Sequence, residues 1–180
     1  HLRAAGLTHS NLAPFESVLF NIFDVVGETY PAMLLTKQGP RAAKGWSQDQ
    51  VKSIATDMAQ ELADTVLPLA KHLIAEHKAA GRTVVLATTT PADLIAPMAE
   101  LLGIDDVIAT KYGVVGGRYD GSVDGHFVWG KGKRAAVIDW ADAHGMRLSE
   151  CYGYSDSYYD LPLLESVGHP HAVNPDPRLQ

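Results

Sequence analysis

The run Cys151-Tyr152-Gly153-Tyr154-Ser155-Asp156-Ser157-Tyr158-Tyr159-Asp160, continued by Leu161-Pro162-Leu163-Leu164, changes character twice. An apolar and aromatic segment stops at Ser155-Asp156-Ser157 and an apolar one resumes at Leu161, the pattern of a buried strand, a tight turn and a helix. Asp156 and Asp160 are thereby predicted at the carboxyl end of a strand. In an open α/β sheet that edge borders the crevice into which helix N-termini point their N–H groups. Ser157 and Asp160, three residues apart, also fit a capping box, so Asp160 has an alternative reading as a helix cap. Two acids on one turn are hard oxygen donors of the kind Mg²⁺ takes alongside substrate phosphate and water.

Working outward, His171-Ala172-Val173 reads as a further strand that turns out through Asn174-Pro175-Asp176-Pro177, leaving Asp176 in an exposed, proline-flanked segment. On the other side, Val137, Trp140 and Ala141 mark one face of a helix from about Lys133 to His144, stopped at Gly145. Between Lys111 and Gly130, short β-rich pieces separated by Gly116-Gly117 predict a β-hairpin flap. Upstream, Thr83-Val84-Val85-Leu86-Ala87 is a continuous apolar strand. Thr90-Pro91 then opens a helix that closes at Gly103, and Val107-Ile108-Ala109 is a second strand. Strands alternate with helices, which predicts an α/β fold with a doubly wound, Rossmann-type parallel sheet over residues 67–180.

Residues 15–66 differ in style. Phe15, Val18, Leu19, Ile22, Phe23 and Val26 form one helical stripe. Ser47 with Gln50 makes a capping box for a second helix that carries Val51, Ile54, Ala55, Met58, Leu62 and Val66. The segment is expected to be a small, all-helical cap.

The net charge of −6 and the absence of a basic cluster argue against a nucleic-acid partner. The single cysteine excludes an internal disulfide and, with no signal segment opening the chain, suggests an intracellular, cytoplasmic setting. Cys151, at the head of a strand, is expected to be inert. No apolar run reaches the roughly 18 residues needed to span a bilayer. The eight histidines show no metal-ligand spacing, and His169-Pro170-His171 is expected to be solvated or in a turn.

Three loops are expected to meet on one sheet edge. Strand 83–87 leads into the hydroxyls of Thr88, Thr89 and Thr90; Gly130-Lys131-Gly132-Lys133 brings amines to a helix start; strand 151–154 brings Asp156 and Asp160. Hydroxyls, backbone N–H groups, an ammonium and paired carboxylates together describe a phosphate site with a divalent metal. Taken singly, the hydroxyls read as caps and the lysines as solvated charges.

These segments, with Leu161-Pro162-Leu163-Leu164-Glu165 and Val173-Asn174-Pro175-Asp176, closely resemble the second, third and fourth motifs of the haloacid-dehalogenase-like superfamily, in its phosphoserine-phosphatase-like branch. The resemblance covers roughly residues 45–180. It implies a Mg²⁺-dependent phosphatase for a small phosphomonoester, acting through an aspartyl-phosphate intermediate. By that resemblance Thr88, with Thr89, would bind phosphate oxygens and Lys133, rather than Lys131, would balance the charge on the phosphorylated aspartate. Asp156 would ligate Mg²⁺, with Asp160 supporting that ligation. Loss of Lys133 is expected to cost turnover with little effect on folding.

The family's first motif, Asp-x-Asp followed by Thr or Val at the end of a strand, has no counterpart. In Phe23-Asp24-Val25-Val26-Gly27-Glu28-Thr29, Val26 occupies the general-acid place and Asp24 lies in a helical stripe. The nucleophile is therefore expected upstream of His1, on a strand between 83–87 and 151–154, which would make these residues part of a longer protein. The rival reading is a non-catalytic binding or regulatory module that has lost its nucleophile. A third is one lobe of a larger enzyme with a second activity elsewhere.

Overall fold

The computed structural model describes residues 36–179, and the chain from Gly39 onward forms one compact unit. The expected helix over Phe15–Val26, and with it Asp24, lies outside the described residues. A short helix α1 (Gly39–Ala42) precedes α2 (Gln48–Thr65). Ser47 caps α2 as its spacing predicted, its hydroxyl accepting from the Gln50 amide at 3.4 Å. Val51, Ala55, Ala59 and Ala63 are buried at steps of four, so α2 presents a narrow, mostly alanine stripe that lets another helix approach closely. That partner is α4 (Ala92–Leu101); Ala63, Ile95, Met98 and Ala109 form one core cluster, with Leu62 and Leu86 against it. Leu67 precedes Pro68 and takes an extended conformation, so α2 ends and α3 (Pro68–Ala79) starts with proline in its first turn.

Strand β1 runs Val85–Pro91, starting two residues later and ending four residues later than expected. Val84 is excluded because Asp105 holds it: its carboxylate accepts from the Val84 amide at 2.8 Å and its own amide donates to the Val84 carbonyl at 2.8 Å. The strand continues through the three threonines because Pro91 is still in register with Thr110 across an irregularity, so α4 begins at Ala92 rather than at the proline. Strand β2 (Asp106–Val115) pairs in parallel with β1 along its first half. Its second half extends the short strand expected at 107–109, because it turns at Gly116-Gly117 and pairs antiparallel with β3 (Arg118–Asp124). This hairpin is tied to the chain entering α2: Gly45 donates to the Tyr119 carbonyl and Tyr119 to that of Trp46, while the Tyr119 hydroxyl donates to Asp93 at 2.8 Å.

Helix α5 (Lys131–Ala143) packs Ala136 and Val137 against Ile108 and Val128. Beyond it, β4 (Tyr152–Ser155) and β5 (His169–Ala172), joined through the short helix α6 (Leu161–Leu164), pair in parallel. The strand order is β3-β2-β1 in one sheet and β4-β5 in another. Among the described residues no strand pairs with the second edge of β1 or of β4.

Strand β4 was expected to be buried, and it is only half so. Gly153 faces Val167 and Leu164, whereas Tyr152 and Tyr154 are 39% and 38% exposed. On that outer face they stack on His169 and His171, with ring centroids 4.5 and 4.9 Å apart; the two histidines are exposed, as expected, but belong to strand β5 and not to a turn. The reason is that α6 covers one face only. Cys151 behaves as expected. Its thiol, which contacts the Arg147 carbonyl, is pushed up in pKa by burial and by Glu150, away from the reactive thiolate.

Asp105 also pairs with Lys78 at 2.7 Å, and that hydrogen bond, with the Val84 amide, holds its carboxyl below the usual carboxylate range. A lowered folded-state pKa contributes stability above the unfolded value of about 3.9 that disappears as pH falls below it. Asp105→Asn is therefore expected to be less stable than wild type near neutral pH. The gap should close on acidification below about pH 4, as read by denaturant unfolding at each pH.

Candidate active site

The turn after β4 is a single turn of 3₁₀ helix, Tyr158–Asp160, capped by Ser157, whose hydroxyl accepts from the Tyr159 amide at 3.2 Å. Ser157 thus performs the capping, and the Asp160 carboxylate is free to turn inward. There Asp160 is 6% exposed and meets Lys133, which is 4% exposed. The ammonium lies 2.7 Å from each carboxylate oxygen but lines up for a hydrogen bond with Oδ2 alone. Oδ2 also accepts from the Ser155 hydroxyl at 2.8 Å, whereas Oδ1 is buried without a hydrogen-bond donor. An isolated charge could not be held at such depth, so each member of the pair requires the other.

The Gly-Lys-Gly-Lys run shows how the lysine reaches this position. Gly130 has φ 54°, a left-handed conformation that suits glycine, and it sets the chain's entry into α5. At Gly132 an added Cβ would lie 2.2 Å from the Phe127 carbonyl oxygen, so the helix start can press against that loop only without a side chain. Lys131 is exposed and Lys133 is turned inward. The loop itself is stitched to the sheet at Val128. Its amide donates to the Thr110 hydroxyl at 3.1 Å, and its carbonyl accepts from the Thr89 hydroxyl at 2.8 Å.

Thr89 therefore serves to anchor the loop that carries Lys133. Thr88, on the opposite side of the strand, keeps its hydroxyl local, accepting from the Thr90 amide and donating to the Thr90 hydroxyl, both at 3.2 Å. Of the residues singled out from sequence, the structure joins Lys133 and Asp160 directly. Thr88, in β1, and Asp156, on the turn after β4, make no hydrogen bond to that pair among the described residues.

Asp156 is exposed, and its carboxylate makes no hydrogen bond to another described residue. Its backbone carbonyl accepts from the Asp176 amide at 2.8 Å. Asp176, expected in an exposed segment, is half-buried and firmly held. It accepts from the Tyr158 amide at 3.0 Å, from the Arg178 amide at 2.7 Å and from the Arg178 guanidinium at 3.0 Å. The Tyr158 amide foremost, then the Arg178 side chain, depress its pKa to about 2. The segment turns back onto the site because β5 runs parallel to β4, which brings their carboxyl ends side by side.

A Mg²⁺ ion bound through one or two carboxylates fits this donor set in part. Asp156 offers open oxygens, whereas Asp160 is engaged by Lys133 and Ser155 and can support the site only from behind. Among the described residues no group of three or more His, Cys, Asp or Glu is gathered as a metal site. Sequence reasoning gave no role of their own to Ser155, read as part of a turn, or to Asp176, read as part of the exit from the last strand, and did not single out Arg178.

Comparison with known proteins accords with this geometry. The family model for haloacid dehalogenase-like hydrolases matches residues 35–165. The inhibition of morphological differentiation protein of Streptomyces azureus is 45% identical over 140 residues, covering 76% of this chain and 50% of that protein. A phosphoserine phosphatase of Mycobacterium tuberculosis is 36% identical over 138 residues, covering 76% and 45%. The chain spans about half the length of the curated relatives it matches. A Bordetella pertussis protein of unknown function superposes with a TM-score of 0.74 at 27% identity, covering 98% of this chain and 79% of the other. A probable phosphoserine phosphatase from Vibrio cholerae, at 20% identity and a TM-score of 0.54, shares the fold. An α/β core with a buried lysine–aspartate pair beside an open carboxylate, matched by that model over most of its length, places this chain in the haloacid dehalogenase-like hydrolase family.

Proposed function

We propose that the chain forms the core of a Mg²⁺-dependent phosphatase for a small phosphomonoester, similar to phosphoserine phosphatases and acting in the cytoplasm. The observation that carries this reading is the buried Lys133–Asp160 pair next to the open carboxylate of Asp156. Relatives named as phosphatases support it. An aspartate outside the described residues attacks phosphorus. The bond to the leaving alkoxide breaks as the alkoxide takes a proton, and water then releases inorganic phosphate from the aspartyl-phosphate. Lys133 keeps a fixed positive charge beside the phosphoryl group, and the Thr88 hydroxyl donates to a phosphate oxygen. Asp160 holds the lysine in place, and Asp156 is the metal ligand. Bound Mg²⁺ supplies charge neutralisation and orientation of phosphate oxygens. Residues 15–66 act as the cap that selects the phosphomonoester, over a core of residues 67–180.

The test is Mg²⁺-supported hydrolysis of phosphoserine and of a generic aryl phosphate by the intact protein and by Asp156→Asn. The variant is expected to need roughly 10- to 100-fold more Mg²⁺ for half-maximal rate, in the range typical of damaged metal sites. An intact protein that hydrolyses neither ester would instead support the non-catalytic module.

A further inference from the structure

Resting on the assignment of Asp156 as the Mg²⁺ ligand, we propose that Asp176 and Arg178 are positioning residues, a clamp from the segment after β5 that fixes the turn carrying the Asp156 carboxylate. Among the described residues nothing hydrogen-bonds the Asp156 carboxylate, so its place is set by the backbone on either side. Asp176 grips that backbone twice. Its amide donates to the Asp156 carbonyl at 2.8 Å, and its carboxylate accepts from the Tyr158 amide at 3.0 Å, so that Ser157 lies between the two points of attachment.

Arg178 closes the clamp from outside. Its guanidinium donates to Asp176 at 3.0 Å and to the Tyr159 hydroxyl at 3.3 Å, and it lies over the rings of Tyr158 and Tyr159 at 5.3 and 4.9 Å. Prolines on both sides of Asp176 restrict the chain that presents it. The bond from the Arg178 amide is a local turn contact, whereas the bond from the Tyr158 amide, 18 residues earlier, serves no turn and ties the two segments together. Groups behind a metal ligand of this kind typically influence metal affinity by 10- to 100-fold.

The test measures the protein without substrate. Mg²⁺ binding is followed by calorimetry, and amide hydrogen exchange at Ser157 and Tyr158 is followed in the metal-free protein, for wild type, Asp176→Ala, Arg178→Met and Asp156→Asn. Asp176→Ala is expected to speed exchange at Tyr158 and to raise the Mg²⁺ Kd at least about tenfold. Arg178→Met should change both in the same direction but less, because Asp176 keeps its backbone donors. It also decides the matter if Asp176→Ala does not fold. A Kd unchanged in both variants, while Asp156→Asn loses Mg²⁺, would overturn the clamp and leave the phosphatase reading standing. If Asp156→Asn binds Mg²⁺ as wild type does, the ligand assignment and the clamp both fail.

Discussion

Lys133→Met is expected to lower stability by about 3–5 kcal/mol, because it leaves the Asp160 charge buried with a single hydroxyl for company. The sequence alone suggested a residue needed for turnover and dispensable for folding. Burial of both partners reverses the second half of that expectation. Asp160 already has one oxygen without a hydrogen-bond donor, so nothing nearby can take over from the ammonium. The double variant Lys133→Met/Asp160→Leu is expected to recover much of the loss, since well-packed apolar replacements of a buried ion pair are often neutral or stabilising. It should not recover phosphatase activity, for which the charge itself is required. Denaturant unfolding of the two variants and of wild type measures the first effect. A Lys133→Met protein as stable as wild type would show that the pair is not structural.

Gly132→Ala is expected to damage the same site from the backbone side. Its Cβ would stand 2.2 Å from the Phe127 carbonyl oxygen, and backbone cannot swing aside as a long side chain can. Either the start of α5 or the 125–130 loop must shift, at a cost of about 1–3 kcal/mol or more by analogy with overpacked cores. Both alternatives disturb the pair, because Lys133 follows directly and Val128, on that loop, is hydrogen-bonded to Thr89 and Thr110. Lys131→Ala, at an exposed position one residue earlier, is the control and should stay within about 0.5 kcal/mol of wild type. Thermal unfolding of both variants checks the contrast, and equal losses would mean that the close approach at Gly132 is relieved at no cost.

Much of this architecture is written in local pattern. The Ser47 cap, the break at Leu67-Pro68, the glycine stops after α4 and α5, the Gly116-Gly117 hairpin and the strand–turn–helix around Asp156 each depend on residues within a few positions of one another. Period and capping chemistry act over that range, so sequence alone suffices for them. The inward turn of Lys133 in preference to Lys131 was likewise legible, from the match of the glycine-flanked lysines to a family motif.

What sequence could not supply are the pairings between residues far apart in the chain. Whether β1 stops at Ala87 or runs to Pro91 depends on Thr110 lying opposite, and whether Thr89 faces phosphate or anchors a loop depends on Val128. Asp160 reads equally well as a helix cap or as part of a metal site until Lys133, 27 residues away, is seen beside it. Asp176 reads as a solvent-exposed turn until the parallel pairing of β4 with β5 brings it against Tyr158, 18 residues earlier. By itself the sequence determined the elements, their order and the family, because these follow from short-range periodicity and motif chemistry. Which side chains face one another, and so which carboxylate is open to a metal and which is taken by a lysine, was decided only by the tertiary structure, because a buried charge is stabilised by whatever partner the packing brings to it.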